Sequence, residues 1–243
     1  MKGKVTVTWL GREAYESAWA RQRSLVQARA AGDAGDTLLL LEHPPVYTMG
    51  RRAKEEHLLL DTVARQQAGI ALHHVDRGGD ITYHGPGQLV GYPILDLKRL
   101  YRAWGYPRPD LHHYLRALEE VLIRALRPLG IDGWRYEGYT GVWVGERADP
   151  RKIAAIGVKV SSKGISSHGF ALNVDPNLDH FAGIVPCGID AHGVTTVAQL
   201  AGRPVSVADL LAPVTAAFAG VFELAAIPGP ALPEAATGQP YKQ

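Results

Sequence analysis

An almost continuous apolar run, "TLLLLEH" at residues 37–43, predicts an interior strand covered on both faces. Pro44-Pro45 ends it, because proline cannot continue a central ladder. Upstream, the β-branched residues of "KVTVTWL" (4–10) predict another strand. Between the two, from Glu13 to about Ala30, the period changes to that of a helix, with Tyr15, Ala18, Trp19, Leu25 and Val26 on one side. Gln22 and Arg29 interrupt that same face, which places the last turn near the surface.

Further along, residues 53–68 read as a helix and "IALHHVD" (70–76) as a strand. A short strand at Ile81 to Tyr83 lies between the tight turns of Gly78-Gly79 and Gly85-Pro86-Gly87. Leu89 to Leu97 resumes a strand, and Pro93 argues against a central, unbroken one. From about Asp110 to Arg127, Leu111, Leu115, Leu118, Val121, Leu122 and Leu126 form a helical stripe, punctuated by Pro109, Pro128 and Gly130. Three strands follow without helices between them, at 137–145, 152–160 and 168–174. Consecutive strands of this kind imply antiparallel or mixed pairing. "TTVAQL" and "SVADLLAPVTAAFAGVFEL" supply closing helices, the second with Ser206 and Asp209 spaced for a capping box. The pattern predicts an α/β (α+β) fold with a central mixed sheet, a smaller second sheet and flanking helices. It lacks the regular βαβ repeat of a barrel or a doubly wound domain. Residues 1–227 are expected to form a single domain, and the proline- and alanine-rich residues 228–243 a loose tail.

Composition alters this picture little. Apolar residues make up 46% and charged residues 21% of the 243, ordinary for a globular protein. A net charge of +2 with interspersed signs gives no footprint for nucleic acid. The N-terminal stretch turns polar within ten residues, so neither a signal peptide nor a membrane span is expected, and the cytoplasm is the default. One cysteine cannot form an internal disulfide, and no His or Cys spacing suggests structural zinc.

That cysteine, Cys187, sits in "IVPCGIDAHGV" (184–194) between a proline and a glycine. Buried and inert is the usual fate of a lone cysteine. The alternative is a nucleophile, since Gly188 permits close main-chain approach and N–H groups beyond the sulfur would face a thioester oxygen. A thiol needs a partner to ionise, and Lys152 and His168 are the reasonable ones. Lys152 opens a strand of small apolar residues, "KIAAIGV", and is either an exposed strand end or a base with its head group held against apolar surface. His168-Gly169 stands at a loop-to-strand boundary, where packed and functional histidines are equally at home. Lys159 and Lys163 read as solvated. The segment Arg77, Gly78, Gly79, Asp80, Ile81, Thr82, Tyr83, His84, Gly85 is either a decorated hairpin or a ligand loop. It is richer in Arg, Asp, Tyr and His than a turn requires, and it matches neither a P-loop nor G-x-G-x-x-G.

Four ordered blocks, "RGGDITYHGPGQLVGYPILDL", "RKIAAIGVKV", "HGFALNV" and "GIVPCGI", together resemble the octanoyltransferase family, also called lipoyl(octanoyl) transferases or lipoate-protein ligase B. The resemblance spans about residues 5–225 and implies the fold of the biotin and lipoate protein ligases. It further implies transfer of an octanoyl group from octanoyl-acyl carrier protein to a lysine of lipoyl domains and of the glycine-cleavage H protein. Cys187 matches the family's nucleophile and Lys152 its catalytic lysine. Arg77 to Gly85, Ala154, Ala155, Ile156 and Gly157, and His168, Gly169, Phe170 and Ala171 match the walls of the acyl pocket, with Tyr83, His84 and Gly85 near the reacting group. No cofactor or metal is implied, the partners include neither nucleic acid nor membrane, and a monomer is expected. Two stretches depart from the family pattern: "ERADP" before Lys152 is slightly long, and "SS" precedes His168 where many relatives carry a larger side chain. Rival readings are an ATP-dependent lipoate or biotin ligase and a nonenzymatic module that docks lipoyl domains or carrier protein.

Overall fold

The structure, a computed structural model, describes residues 3–185 and 192–230. Cys187 lies outside the described residues, as do residues 231–243, which make up most of the tail expected over 228–243. Seven strands form the main sheet and three a smaller one. The chain enters through β1 (Gly3–Arg12) and helix α1 (Tyr15–Ala31), then runs into β2 (Asp36–Glu42) parallel to β1. Both faces of β2 are covered, as the apolar run demands. Leu38 and Leu40 join one core cluster, Leu39 and Leu41 another with Ala18 of α1.

Pro44-Pro45 moves the chain out of this sheet and into the smaller one. There β3 (Val46–Met49) lies between β4 (Ala71–His74), parallel, and β5 (Ile81–His84), antiparallel. The helix expected over 53–68 is not continuous. It divides into a 3-10 turn at Glu55–His57 and helix α2 (Thr62–Gln67), because Leu58 pairs instead with Ile184.

From β5 the chain returns through β6 (Gln88–Ile94), which is central, between β2 and β9 (Ser166–Asn173). Pro93 does not force it to the edge. Pairing with β9 ends at Gly91 and Phe170, and Ser166 Oγ then bridges the gap, donating to the Pro93 carbonyl at 2.7 Å and accepting from Leu95 N–H at 2.9 Å. A short helix α3 (Leu97–Ala103), capped by Asp96, precedes α4 (Leu111–Leu126), capped by Asp110. Leu111 is exposed, so the buried stripe of α4 begins a turn later, at Tyr114. The sheet is completed by β8 (Arg151–Val160) against β9 and by β7 (Val142–Val144), which is shorter than the 137–145 expected. Helix α5 (Val197–Ala201) follows. Helix α6 (Val207–Val221) starts where Ser206 N–H donates to the Asp209 carboxylate at 2.8 Å. Strand β10 (Leu224–Pro228) then lies parallel to β1, and Gly229 N–H still bonds Val7. Helices α4 and α6 pack on one face of the main sheet, while α1 and the small sheet cover the other.

Candidate active site

Strands β8 and β9 are registered so that Ala155 faces Ala171 and Gly157 faces Gly169. Side chains alternate faces along a strand. The large members of this pairing, Ile156 with Phe170 and Leu172 with Ala154, point to the helix-side core. Two adjacent pairs of small residues therefore remain on the other face and leave a trough in the sheet. Gly91 serves the core side, since a Cβ there would meet the Phe170 ring at 2.1 Å.

The small sheet roofs this trough. Its cavity is lined by Ala155, Ile156, Gly157 and by His168, Gly169, Phe170, Ala171 on the main sheet. Arg77, Gly78, Gly79, Thr82 and His84 come from the glycine-rich segment. Glycine is required where that segment docks: Gly78 N–H donates to the Val158 carbonyl at 2.9 Å, and a Cβ on Gly157 would meet Gly78 O at 2.9 Å. The hairpin is thus also a wall. Tyr15 and Tyr92 complete the lining. Neither was legible as a site residue, because each sits in an apolar pattern that reads as core.

The other motif residues stand around this cavity. Ala154 is in the helix-side core and Ile81 in the core of the small sheet. Asp80 accepts from His57 Nδ1 and from Ile81 N–H, and faces a neighbouring cleft. Tyr83 hydrogen-bonds His180 Nδ1 at 2.8 Å and packs on Phe181, and Gly85 is needed because a Cβ there would strike the Tyr83 hydroxyl. Tyr83 and Gly85 therefore brace the turn at Leu178–Gly183, which leads toward Cys187.

Arg77 is buried and donates to the Thr48 carbonyl, to Thr48 Oγ1 at 2.9 Å and to the Gly78 carbonyl at 3.0 Å. Its neighbour Asp76 takes Lys159 and His168, so Lys159 is an ion-pair partner rather than simply solvated. The hydrogen bond from His168, ahead of Lys159, holds the Asp76 carboxyl well below the usual carboxylate range, whereas burial lowers His168 and keeps it neutral. His168 Nε2–H is then the donor to Asp76 Oδ1 at 2.8 Å. Nδ1, a lone-pair acceptor, has no partner among the described residues. His168 is held at φ +54°, and its N–H is taken by Gln22 Oε1 at 2.7 Å. Gln22, the polar break in the α1 stripe, was the available signal for this contact.

A second polar chain runs behind the trough. Gln88 Nε2 donates to Asn173 Oδ1 at 2.9 Å and to the Tyr83 carbonyl, so Gln88 Oε1 accepts from His84 Nδ1–H at 2.7 Å. Asn173 Nδ2 in turn donates to the Thr195 carbonyl at 3.2 Å. Burial lowers His84 to about 3, and it remains a neutral imidazole.

Lys152 is half-buried near the start of β8. Its N–H donates to Gly193 O at 2.9 Å, its carbonyl accepts from Thr195 N–H at 3.1 Å, and its Nζ lies 4.9 Å from the Trp143 ring centroid. A cleft lined by Lys152, Tyr139, Thr140 and Leu115 shares Gly78, Gly79, Ala155, Ile156 and Gly157 with the trough. The residues on either side of the cysteine segment are anchored. Val185 N–H bonds the His57 carbonyl at 2.8 Å, and residues 193–195 pair with Lys152. Among the described residues no group of His, Cys, Asp or Glu is arranged to hold a metal ion, and no helix is long and apolar enough to cross a membrane.

Comparison with known proteins agrees with this architecture. Residues 14–219 match the family model of the lipoyl protein ligase A/B catalytic domain. An octanoyltransferase of Gloeobacter violaceus is 52% identical over 216 residues, covering 88% of this chain and 89% of that protein. In fold alone, the chain resembles a bi-partite lipoate protein ligase from Thermoplasma acidophilum, with TM-score 0.71 and 18% identity over 93% of this chain and 87% of that one. It also resembles the biotin protein ligase of Aquifex aeolicus, with TM-score 0.52 and 14% identity over 90% and 70%. With a trough between two sheets, a lysine in the adjoining cleft and relatives of this similarity, the chain belongs to the octanoyltransferases, acyltransferase enzymes of the lipoyl protein ligase A/B catalytic-domain family.

Proposed function

We propose that the chain transfers an octanoyl group from octanoyl-acyl carrier protein to a lysine of lipoyl domains and of the glycine-cleavage H protein, through a thioester on Cys187. In the first half-reaction Lys152 takes the thiol proton and the sulfur attacks the donor thioester. A new C–S bond forms at Cys187, the donor C–S bond breaks, and the carrier thiol leaves with a proton. In the second, the acceptor amine attacks the acyl carbon, a C–N bond forms and the Cys187 C–S bond breaks. The amine's proton passes by way of Lys152 to the departing sulfur. Aminolysis of a thioester runs downhill, so the cycle needs no ATP and no cofactor. It proceeds in the cytoplasm on a monomer, with neither nucleic acid nor membrane as partner.

The observation that carries this reading is that the small-residue trough shares Gly78, Gly79, Ala155, Ile156 and Gly157 with the cleft holding Lys152, whose main chain is bonded to the residues just after the cysteine segment. An eight-carbon chain laid in the trough gains about 0.8 kcal/mol per buried methylene. Intact-protein mass spectrometry after mixing with octanoyl-acyl carrier protein is expected to show one added octanoyl group, absent in Cys187→Ser. Lys152→Ala is expected to slow both half-reactions by at least about a hundredfold, the lower range for a positioned acid–base group. Transfer by Cys187→Ser at the parent rate would overturn the covalent route, and an undiminished Lys152→Ala would remove that lysine. ATP-dependent activation of free octanoate would favour the ligase reading instead.

A further inference from the structure

Lys152 and the trough do not account for the aromatic rings crowded beside them. Tyr136 and Tyr139 stack with centroids 5.1 Å apart, and Trp143 lies 5.2 Å from the first and 5.8 Å from the second. His192 closes the group 5.6 Å from Trp143. Trp143 is fully buried, but Tyr139 is 37% exposed on a turn whose neighbours Glu137, Gly138 and Thr140 are also exposed. A ring left this open gains only part of the stabilisation that burial gives.

The cluster already holds one alkylammonium, since Lys152 Nζ rests over Trp143 within the range of a cation–π contact. Tyr139 and Lys152 line one cleft, with the Asp80 carboxylate among its other walls, and that cleft adjoins the trough through their shared residues Gly78, Gly79, Ala155, Ile156 and Gly157. A group travelling through the cleft to the trough passes both. Of the two reactants that must make this passage, only the acceptor amine brings positive charge at its tip. A pantetheine thioester is neutral there and gains nothing from a ring face.

We propose that Tyr139 is the wall of an acceptor-lysine subsite, its ring packing the methylene stem and receiving the ammonium before the amine is deprotonated. The assignment deepens the acyl-transfer reading and rests on it for the identity of the acceptor. The two half-reactions separate the roles. Tyr139→Leu is expected to form octanoyl-enzyme from octanoyl-acyl carrier protein at the parent rate, and to raise the KM for a lipoyl-domain acceptor by about five- to tenfold. Tyr139→Phe, which keeps the ring, is expected to stay within about twofold of the parent. Deacylation by hydroxylamine, a neutral nucleophile without a stem, should be the same in all three proteins.

An unchanged acceptor KM in Tyr139→Leu overturns the subsite. Equal losses with acceptor and with hydroxylamine overturn it as well, because the ring would then act on the reacting centre. The acceptor KM is also read in overall transfer. Absence of octanoyl-enzyme in the parent would therefore defeat the covalent route, while the Tyr139 comparison still decides the subsite.

Discussion

Two pairs of side chains set the capacity of the cavity. Ala155 with Ala171 and Gly157 with Gly169 leave room because nothing larger than a methyl rises from that face. Ala171→Leu fills it. Each methylene of the acyl chain so displaced costs about 0.8 kcal/mol, or roughly fourfold in affinity. The expected outcome is weaker use of octanoyl donor with relative preference moved to shorter chains, read as kcat/KM across butanoyl, hexanoyl and octanoyl carriers. An unchanged preference would show that the chain lies elsewhere. Individual residues were legible where motif and chemistry coincide, as with the small residues of "KIAAIGV" and "HGFALNV". Partners brought together only by the fold were not. The bond from His168 N–H to Gln22 joins residues 146 positions apart, and Asp76, two residues before the glycine pair, gave no sign that it would bind both His168 and Lys159.

Among elements, the buried carboxylate of Glu119 ties helix α4 to the turn before β7. It is fully buried, pairs with Arg116 at 2.7 Å and Arg135 at 3.2 Å, and accepts Gly141 N–H at 3.0 Å. Gly141 holds φ +125°, and a Cβ there would strike Ala154 O at 2.5 Å and approach Lys152 Cε at 3.3 Å. Glu119→Ala leaves that N–H without its partner, an omission worth about 2 kcal/mol, while Glu119→Gln keeps a carbonyl acceptor and loses less. Urea unfolding of the two variants against the parent checks the order, and equal losses would refute it. The same tie explains why 137–145 reads as a strand but yields only Val142–Val144: Gly138 and Gly141 both have positive φ. Elements were legible where local pattern and long-range pairing agree, as in β2. They were misread where a distant partner intervenes, as when Leu58 pairs with Ile184 and divides the helix expected over 53–68.

At the scale of the whole molecule, two histidines buried between α1, the small sheet and the main sheet tie folding to pH. His43 donates Nδ1–H to the Glu13 carbonyl at 2.7 Å and accepts at Nε2 from the Tyr92 hydroxyl at 2.8 Å. Burial lowers it to about 4 and His84 to about 3. The unfolded chain takes up these protons near pH 6.5 and the folded one resists until well below. Their contribution is therefore complete above pH 6.5 and declines as pH falls toward 4. At about 1.4 kcal/mol per pKa unit, the loss by pH 4.5 is on the order of several kcal/mol. Asp76, held ionised in the fold, does not offset it in this window, since an unfolded aspartate is also ionised above about pH 4. Denaturant unfolding at pH 7.5, 6 and 4.5 should trace this decline, with a shallower slope in His43→Gln. A slope unaltered by that substitution would assign the acid sensitivity elsewhere.

The anchoring of Val185 to His57 and of residues 193–195 to Lys152 has a practical consequence. Every one of these bonds joins main chain to main chain, so none of them uses the side chain of a residue that makes it. Side-chain exchanges at Val185 and Thr195 that keep the backbone conformation accordingly leave these bonds in place.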